Sequence, residues 1–360
     1  MTHIVIGGGI MGLLTTYYLH AAGEEVIVIE QGKLGKESSW AGGGILSPLY
    51  PWQYPEALNK LAAWSQARYP ALVEELFSTS DIDAQWIKSG MMFMDTDEIP
   101  QATQWAHDNT IPLEIISGEQ ISQYATGINR NTLDQPAIWM PEIAQVRNPR
   151  LLKALITTLQ RNGVQLLEDM PVTDLIIIQD KVTGVKCSEK IIEGATVTVA
   201  CGAWSSNVLQ KWLPPMMNVE PVRGQMILFK ASPEMLRPII LKNSHYLIPR
   251  KDGRIIAGST LEFVGFDKST TEPAKQMLID FAIDLLPALK NYPIEHHWSG
   301  LRPGNSVQIP FISQHPEIKG LFVNTGHYRN GVVTAPASAN LCADLILSRQ
   351  PILDTKAYSF

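Results

Sequence analysis

The chain's best-spaced ligand-binding residues are Gly7, Gly9 and Gly12, in the pattern G-x-G-x-x-G directly after Ile4-Val5-Ile6. The first glycine permits a tight turn, and the second lets backbone approach a pyrophosphate. The third allows the following helix to pack closely on the strand, and that helix aims its N-terminus at the phosphates. Ile10 and Met11 lie within the turn. Glu30 follows Gly12 by 18 positions, where a carboxylate can accept the hydroxyl hydrogens of a ribose. A second run, Ser38-Ser39-Trp40-Ala41-Gly42-Gly43-Gly44-Ile45-Leu46, is not needed to complete this unit. Its glycines allow backbone to lie flat against a planar ligand, and Ser38 and Ser39 can bond phosphate oxygens. A plain surface loop is the competing reading there. The spacing implies a dinucleotide without saying which one.

The elements that must carry these residues can be read from hydrophobic pattern. Ile4–Ile6 is a buried strand, Leu13–Leu19 continues as a helix ended by Gly23, and Val26–Ile29 is a second strand. The aromatic, proline-rich run Leu49–Pro55 fits a pocket wall or a surface segment equally. Apolar spacing predicts a helix from about Glu56 to Leu76, and Met91–Met94 reads as core strand. Polar helices are expected near Ile99–Asn109 and Ser117–Tyr124. A helix begins around Asn148 and leads into strand Val164–Leu167. Val172–Ile178 and Val182–Cys187 form a meander. Strand 195–201 ends in the turn Gly202-Ala203, a device for closing over a ligand. Asp252-Gly253, flanked by His245–Arg250 and Arg254–Ser259, is a hairpin signal. A helix over Pro273–Leu286 should bury Met277, Leu278, Phe281 and Leu285. Leu321–Asn324 is a short strand entering Gly326–Gly331, followed by a helix from about Val332 to Leu347.

A length of 360 residues suggests about two domains. The net charge of −6 argues against nucleic acid as a partner. Cys187, Cys201 and Cys342 form no paired or metal-like spacing, so no metal site is expected. No apolar stretch approaches the ~18 residues of a membrane span, and no signal peptide is recognisable. A cytoplasmic enzyme is the expectation.

Several matches together make the chain similar to the FAD-dependent D-amino-acid oxidase superfamily, and within it to the glycine oxidases of the thiamine-biosynthesis type. They are Ile6–Gly12 with Glu30, Ser39–Leu46, Arg223-Gly224-Gln225, Gly258–Glu262, Gly300-Leu301-Arg302-Pro303 and Gly326–Gly331. The resemblance implies an α/β chain of two domains. One is a discontinuous Rossmann-type FAD-binding domain of residues 1–85, 140–218 and 291–360. The other is a substrate domain, 86–139 and 219–290, built on a mixed, mostly antiparallel sheet. It implies non-covalent FAD, since Gly304-Asn305-Ser306 stands where related sarcosine oxidases carry a flavin-tethering cysteine. Ile10 and Met11 match the pyrophosphate turn, and Glu30 and Gln31 the adenosine end. Ser38, Ser39, Gly43, Gly44 and Ile45 match the loop beneath the phosphates, and Val172 the adenine contact. His327, Tyr328, Arg329, Asn330, Gly331, Val332 and Val333 match the turn and helix start below the flavin ring. Helix N–H groups there favour the negative charge of reduced flavin.

The same resemblance makes Arg302 the carboxylate-binding arginine, with Tyr246 on the same carboxylate and Arg329 lining the pocket. A guanidinium fork can hold both carboxylate oxygens and so fix the α-carbon. The implied reaction is oxidation of glycine, small amines or D-amino acids by hydride transfer to flavin N5. Reoxidation by O2 gives hydrogen peroxide, and the iminoglycine would serve thiamine thiazole synthesis. A quinone- or partner-linked dehydrogenase, a NAD enzyme and a flavin-binding protein without turnover are the alternatives. The family also suggests a homo-oligomer.

Overall fold

The structure is a computed structural model and describes residues 1–188, 190–212 and 218–360. Two large sheets organise it. The first has six strands in the order Phe311–Gln314, Leu321–Thr325, Thr196–Val199, Thr2–Ile6, Glu25–Ile29, Gln165–Leu167. All neighbours are parallel except the Phe311–Gln314 edge. Its central strands are apolar throughout because both faces are covered. Val5 and Val28 pack under helices Ile10–Ala21, Glu56–Ser80, Asn148–Arg161 and Gly331–Ile346. Ile4, Ile6 and Ile29 point the other way, against the three-stranded meander of Leu175, Val182, Val185 and Ile192. This period-two division of one short strand between two cores locks its register, since a one-residue slip would exchange the two faces.

The second sheet has eight strands: Ile294–Gly304, Glu220–Phe229, Ile255–Gly258, His245–Pro249, Ile239–Lys242, Met91–Phe93, Ala137–Met140, Glu114–Ile116. It is antiparallel except where Ile239–Lys242 runs parallel to Met91–Phe93. Leu247, Ile255, Ala257, Ile227 and Phe229 face helix Glu272–Leu285 through Leu278, Ala282 and Leu285. Tyr246, Ile248, Ile256 and Met226 face the opposite side with Ile45 and Tyr50. Alternation along His245–Pro249 therefore sends Tyr246 toward the glycine run at Gly43. His245 goes away from it, its ring 5.3 Å from that of Phe281.

Two expectations need correction. Residues 291–304 do not belong with the nucleotide-binding sheet. Strand Ile294–Gly304 pairs with Glu220–Phe229 almost throughout and forms an edge of the second sheet. An apolar strand pattern shows that a strand exists, but not which sheet supplies its hydrogen bonds. Met277 lies on the solvent side of its helix at 38% exposure, and Ala282 takes the buried position instead. The aromatic run after Pro48, open on sequence, joins the core: the Trp52 ring is 5.1 Å from Phe93, and Tyr50 donates to Asp95 at 2.8 Å.

Candidate active site

One elongated cleft runs between the two sheets. At one end lie Gly7, Gly9, Ile10 and Met11 with Glu30 and Gln31; at the other are Tyr246, Arg302, Tyr328 and Arg329. Ser38, Ser39, Gly43, Val172, His327, Gly331 and Val332 line the same cleft.

The first turn is built by close contact. Gly7 has φ +109°, and a Cβ on Gly12 would stand 1.9 Å from the Gly7 carbonyl oxygen. Gly12 therefore serves helix-on-strand packing and does not itself face the cleft. Helix Ile10–Ala21 has no side-chain cap and no acidic residue in its first turn. Its N-terminal donors, apart from the Ile10 N–H donating to Ser39 Oγ at 2.9 Å, face an anion-receptive space. Glu30 accepts from the Gly8 and Gly32 N–H groups at 2.7 and 2.9 Å, one on each oxygen. A carboxylate oxygen has a second lone pair, so a ribose hydroxyl can still be accepted.

The second glycine run is held by residues that no sequence motif marks. Asn148 donates to the carbonyls of Ser39 and Gly42 at 2.9 and 3.0 Å. Arg250, buried, donates to the Gly43 carbonyl at 2.7 Å, Gln145 Oε1 at 2.8 Å and the Val146 carbonyl at 3.2 Å. Burial pulls this guanidinium down to about 10, because carbonyl dipoles only partly replace its lost hydration. Trp298 Nε1 donates to the Ala41 carbonyl at 3.0 Å, tying the run to the second sheet. Gly44 and Ile45 turn away from the cleft: a Gly44 Cβ would meet the Val146 carbonyl at 2.0 Å, and Ile45 is core. Asn330 and Val333 are likewise buried below the cleft wall. The structure thus separates Gly12, Gly44, Ile45, Asn330 and Val333, which support the wall, from the other sequence-selected residues, which form it.

At the far end, Arg302 Nη2 donates to Ser259 Oγ at 2.7 Å, and Nη1 to the carbonyls of Thr260 and Arg223 at 3.2 and 3.4 Å. Its fork lies over Gly224, where a Cβ would fall 2.1–2.4 Å from the guanidinium atoms. Burial lowers the Arg302 pKa, with Tyr246 opposing the effect and the Arg329 charge adding to it. Arg329 donates to the Ser244 carbonyl at 3.3 Å. Among the described residues neither arginine has a carboxylate partner. Tyr246 donates only to the Met226 thioether at 3.2 Å, a weak acceptor that an anion would displace.

His327 also borders the cleft, and its Nε2 is buried without a hydrogen-bond partner. Burial depresses its pKa to about 3, so the ring is neutral at ordinary pH. Beside it, helix Gly331–Ile346 has no side-chain cap and presents Gly331 and Val332 to the cleft. The cleft wall includes the expected closing turn, Gly202-Ala203-Trp204, and also Cys201, Met170 and Met226, which had no distinguishing sequence signal. Burial raises the Cys201 thiol well above its ordinary range, so it is a poor thiolate.

FAD fits this arrangement. Two uncapped helix starts, a carboxylate at the adenosine end and an orphaned buried imidazole nitrogen are features that a long dinucleotide can satisfy in one bound pose. A family model described as FAD dependent oxidoreductase (DAO) matches residues 3–345. The chain belongs to that family and is an FAD-dependent oxidoreductase with the expected α/β fold.

Within it, the chain is 43% identical to a glycine oxidase of Pseudomonas aeruginosa over 357 residues, covering 99% of this chain and 97% of that one. It is 30% identical over 364 residues to the "Bifunctional protein ThiO/ThiG" of Trichormus variabilis, covering 99% of this chain and 54% of that protein. Its fold is similar to the crystal structure of glycine oxidase from Geobacillus kaustophilus, with a TM-score of 0.94 and 26% identity. That match covers 99% of this chain and 97% of the other. Among the described residues no helix is long and apolar enough to cross a membrane, and no group of three or more metal-ligating side chains occurs.

Proposed function

We propose that this enzyme oxidises glycine and other small amino acids or amines, and that the imino product serves thiamine thiazole assembly. The observation that carries the reading is the pair Arg302 and Arg329, which line the cleft beside Tyr246 and, among the described residues, pair with no carboxylate. Two partly buried cations with free donor capacity call for an anionic ligand, and the planar fork of Arg302 suits a carboxylate. In this reading Arg302 fixes the substrate carboxylate, Tyr246 transfers its hydrogen bond from Met226 Sδ to that carboxylate, and Arg329 adds charge. Anchoring one end of so small a molecule leaves its α-carbon one bond away, with little freedom to wander. Met226, Val332 and the Tyr246 ring supply apolar lining that limits water at this end. FAD would supply the redox chemistry here: it would take up a hydride from the α-carbon while the amine nitrogen loses a proton, and those two electrons and two protons together would reduce O2 to hydrogen peroxide. The imino acid then leaves.

The assignment of residues 1–85, 140–218 and 305–360 to cofactor binding and of the rest to substrate binding belongs to the same proposal. The test is anaerobic reduction of the flavin-loaded enzyme by glycine, sarcosine and small D-amino acids, followed by admission of air. Bleaching of the flavin band and stoichiometric peroxide are expected. Failure of every amino acid to bleach it would overturn the reading; bleaching without peroxide would point to another electron acceptor.

A further inference from the structure

Arg302 is seated on backbone carbonyls, so its position depends on whatever holds those carbonyls. Two of its acceptors, the carbonyls of Arg223 and Thr260, belong to segments that pair at Arg223 and Glu262. There the N–H of each residue donates to the other's carbonyl at 2.9 Å. The side chains repeat the connection. The Glu262 carboxylate accepts from Arg223 Nε at 3.1 Å and Nη2 at 2.5 Å on one oxygen. On the other it accepts from Gln225 Nε2 at 2.9 Å and from the Thr260 hydroxyl. The Thr260 hydroxyl in turn accepts from the Gln225 N–H at 2.8 Å. Arg223 is buried and completes its shell with Asp267 Oδ2 at 2.6 Å and the Ser269 carbonyl at 3.0 Å. One carboxylate thereby gathers Arg223, Gln225 and Thr260, which flank the Gly224 notch beneath the Arg302 fork.

We infer that Glu262 is the positioning residue for Arg302. It holds segment 259–262 against 223–225 at the separation that lets one guanidinium reach both carbonyls and Ser259 Oγ while its outer edge stays free for a ligand. The Arg223 cation is the chemical reason for an acid at 262. Removing that charge leaves a buried guanidinium short of an acceptor, and the segment shifts to find one. Glu262 is not among the residues lining the cleft, so it acts on binding through Arg302. The inference rests on the proposed role of Arg302 in carboxylate binding.

The test uses the flavin-loaded enzyme and two probes, acetate as a bare carboxylate followed by its perturbation of the flavin spectrum, and glycine as substrate. Glu262→Gln should weaken acetate binding and raise glycine KM roughly tenfold, the effect of one lost charge-assisted contact. kcat at saturating glycine and flavin content should stay near the parent values. Glu262→Asp, which restores the charge, should recover part of the affinity. Unchanged acetate affinity in folded, flavin-bound Glu262→Gln would overturn the inference, as would an equal fall in kcat with KM unmoved. Should Glu262→Gln fail to fold, Thr260→Val, which removes one arm of the same network, is read by the same criteria. Arg302→Lys separates the two levels: if it leaves acetate binding intact, the reading of Arg302 itself falls. If it weakens acetate binding while Glu262→Gln does not, only the positioning role falls.

Discussion

The two ends of the cleft are built by different means. The nucleotide end is local: Gly7 to Glu30 form one strand–helix–strand unit, and contacts such as Gly8 N–H to Glu30 span 22 residues. The proposed substrate end is lined by Gly224, Tyr246, Arg302 and Arg329 and backed by Ser259–Glu262; pairing of distant strands brings Gly224, Tyr246 and Arg302 together, and Arg329 reaches them from the turn after Leu321–Thr325. At the first end the tight contacts of Gly7 and Gly12 are backbone on backbone. At the second they are side chain over backbone, with Arg302 lying in the space above Gly224. The ends therefore yield differently under strain. Backbone cannot move without moving the sheet, whereas a guanidinium can swing aside and leave the fold intact.

Substitutions put this asymmetry at risk. The largest effect is expected at Gly12→Val, whose side chain would begin 1.9 Å from the Gly7 oxygen. It should abolish flavin retention and lower the melting temperature, read by the flavin-to-protein absorbance ratio and thermal unfolding; flavin retained at parental Tm would refute the local account. Arg302→Ala should keep its flavin yet raise glycine KM by roughly 100-fold, as expected for losing a charge-assisted, two-pronged contact. Loss of flavin instead would show that Arg302 belongs to the cofactor end. Gly224→Ala should be milder, about tenfold in KM with flavin and Tm preserved, since only the Arg302 fork must yield. A collapse in Tm equal to that of Gly12→Val would erase the distinction between the two ends.

A separate effect, on acid stability rather than on binding, concerns His327, whose folded pKa is depressed to about 3 by burial. The unfolded chain binds this proton near pH 6.5 and the folded chain does not, so the stabilising contribution is present above that value. It is lost as pH falls from about 6.5 toward 3, at up to ~1.4 kcal/mol per pH unit. His327→Asn should flatten that part of the acid-unfolding curve. An unchanged slope in a denaturant series from pH 7 to 4 would mean that the ring protonates freely in the fold.

Local pattern was enough for the parts of the chain whose signals are local. Ile4–Ile6, the glycine turn and Val26–Ile29 were legible because their apolar runs and glycine spacing fall within one short stretch of chain, although the partners that flank and cover them lie far away in sequence. The Asp252-Gly253 hairpin and the helix after Gly331 were legible for the same reason. Arg302 and Tyr246 could be selected only through resemblance, since an arginine before a proline and an aromatic residue in a strand carry no local signature. Only the closed fold shows that strand Ile294–Gly304 joins the second sheet, that Gly44 and Ile45 turn from the cleft, and that Asn148 and Arg250 hold the second glycine run. It alone put Glu262 behind Arg302. Each of these depends on which distant carbonyl or carboxylate a polar group finds once the chain has closed, and the number of such partners is too large for composition or spacing to choose among them.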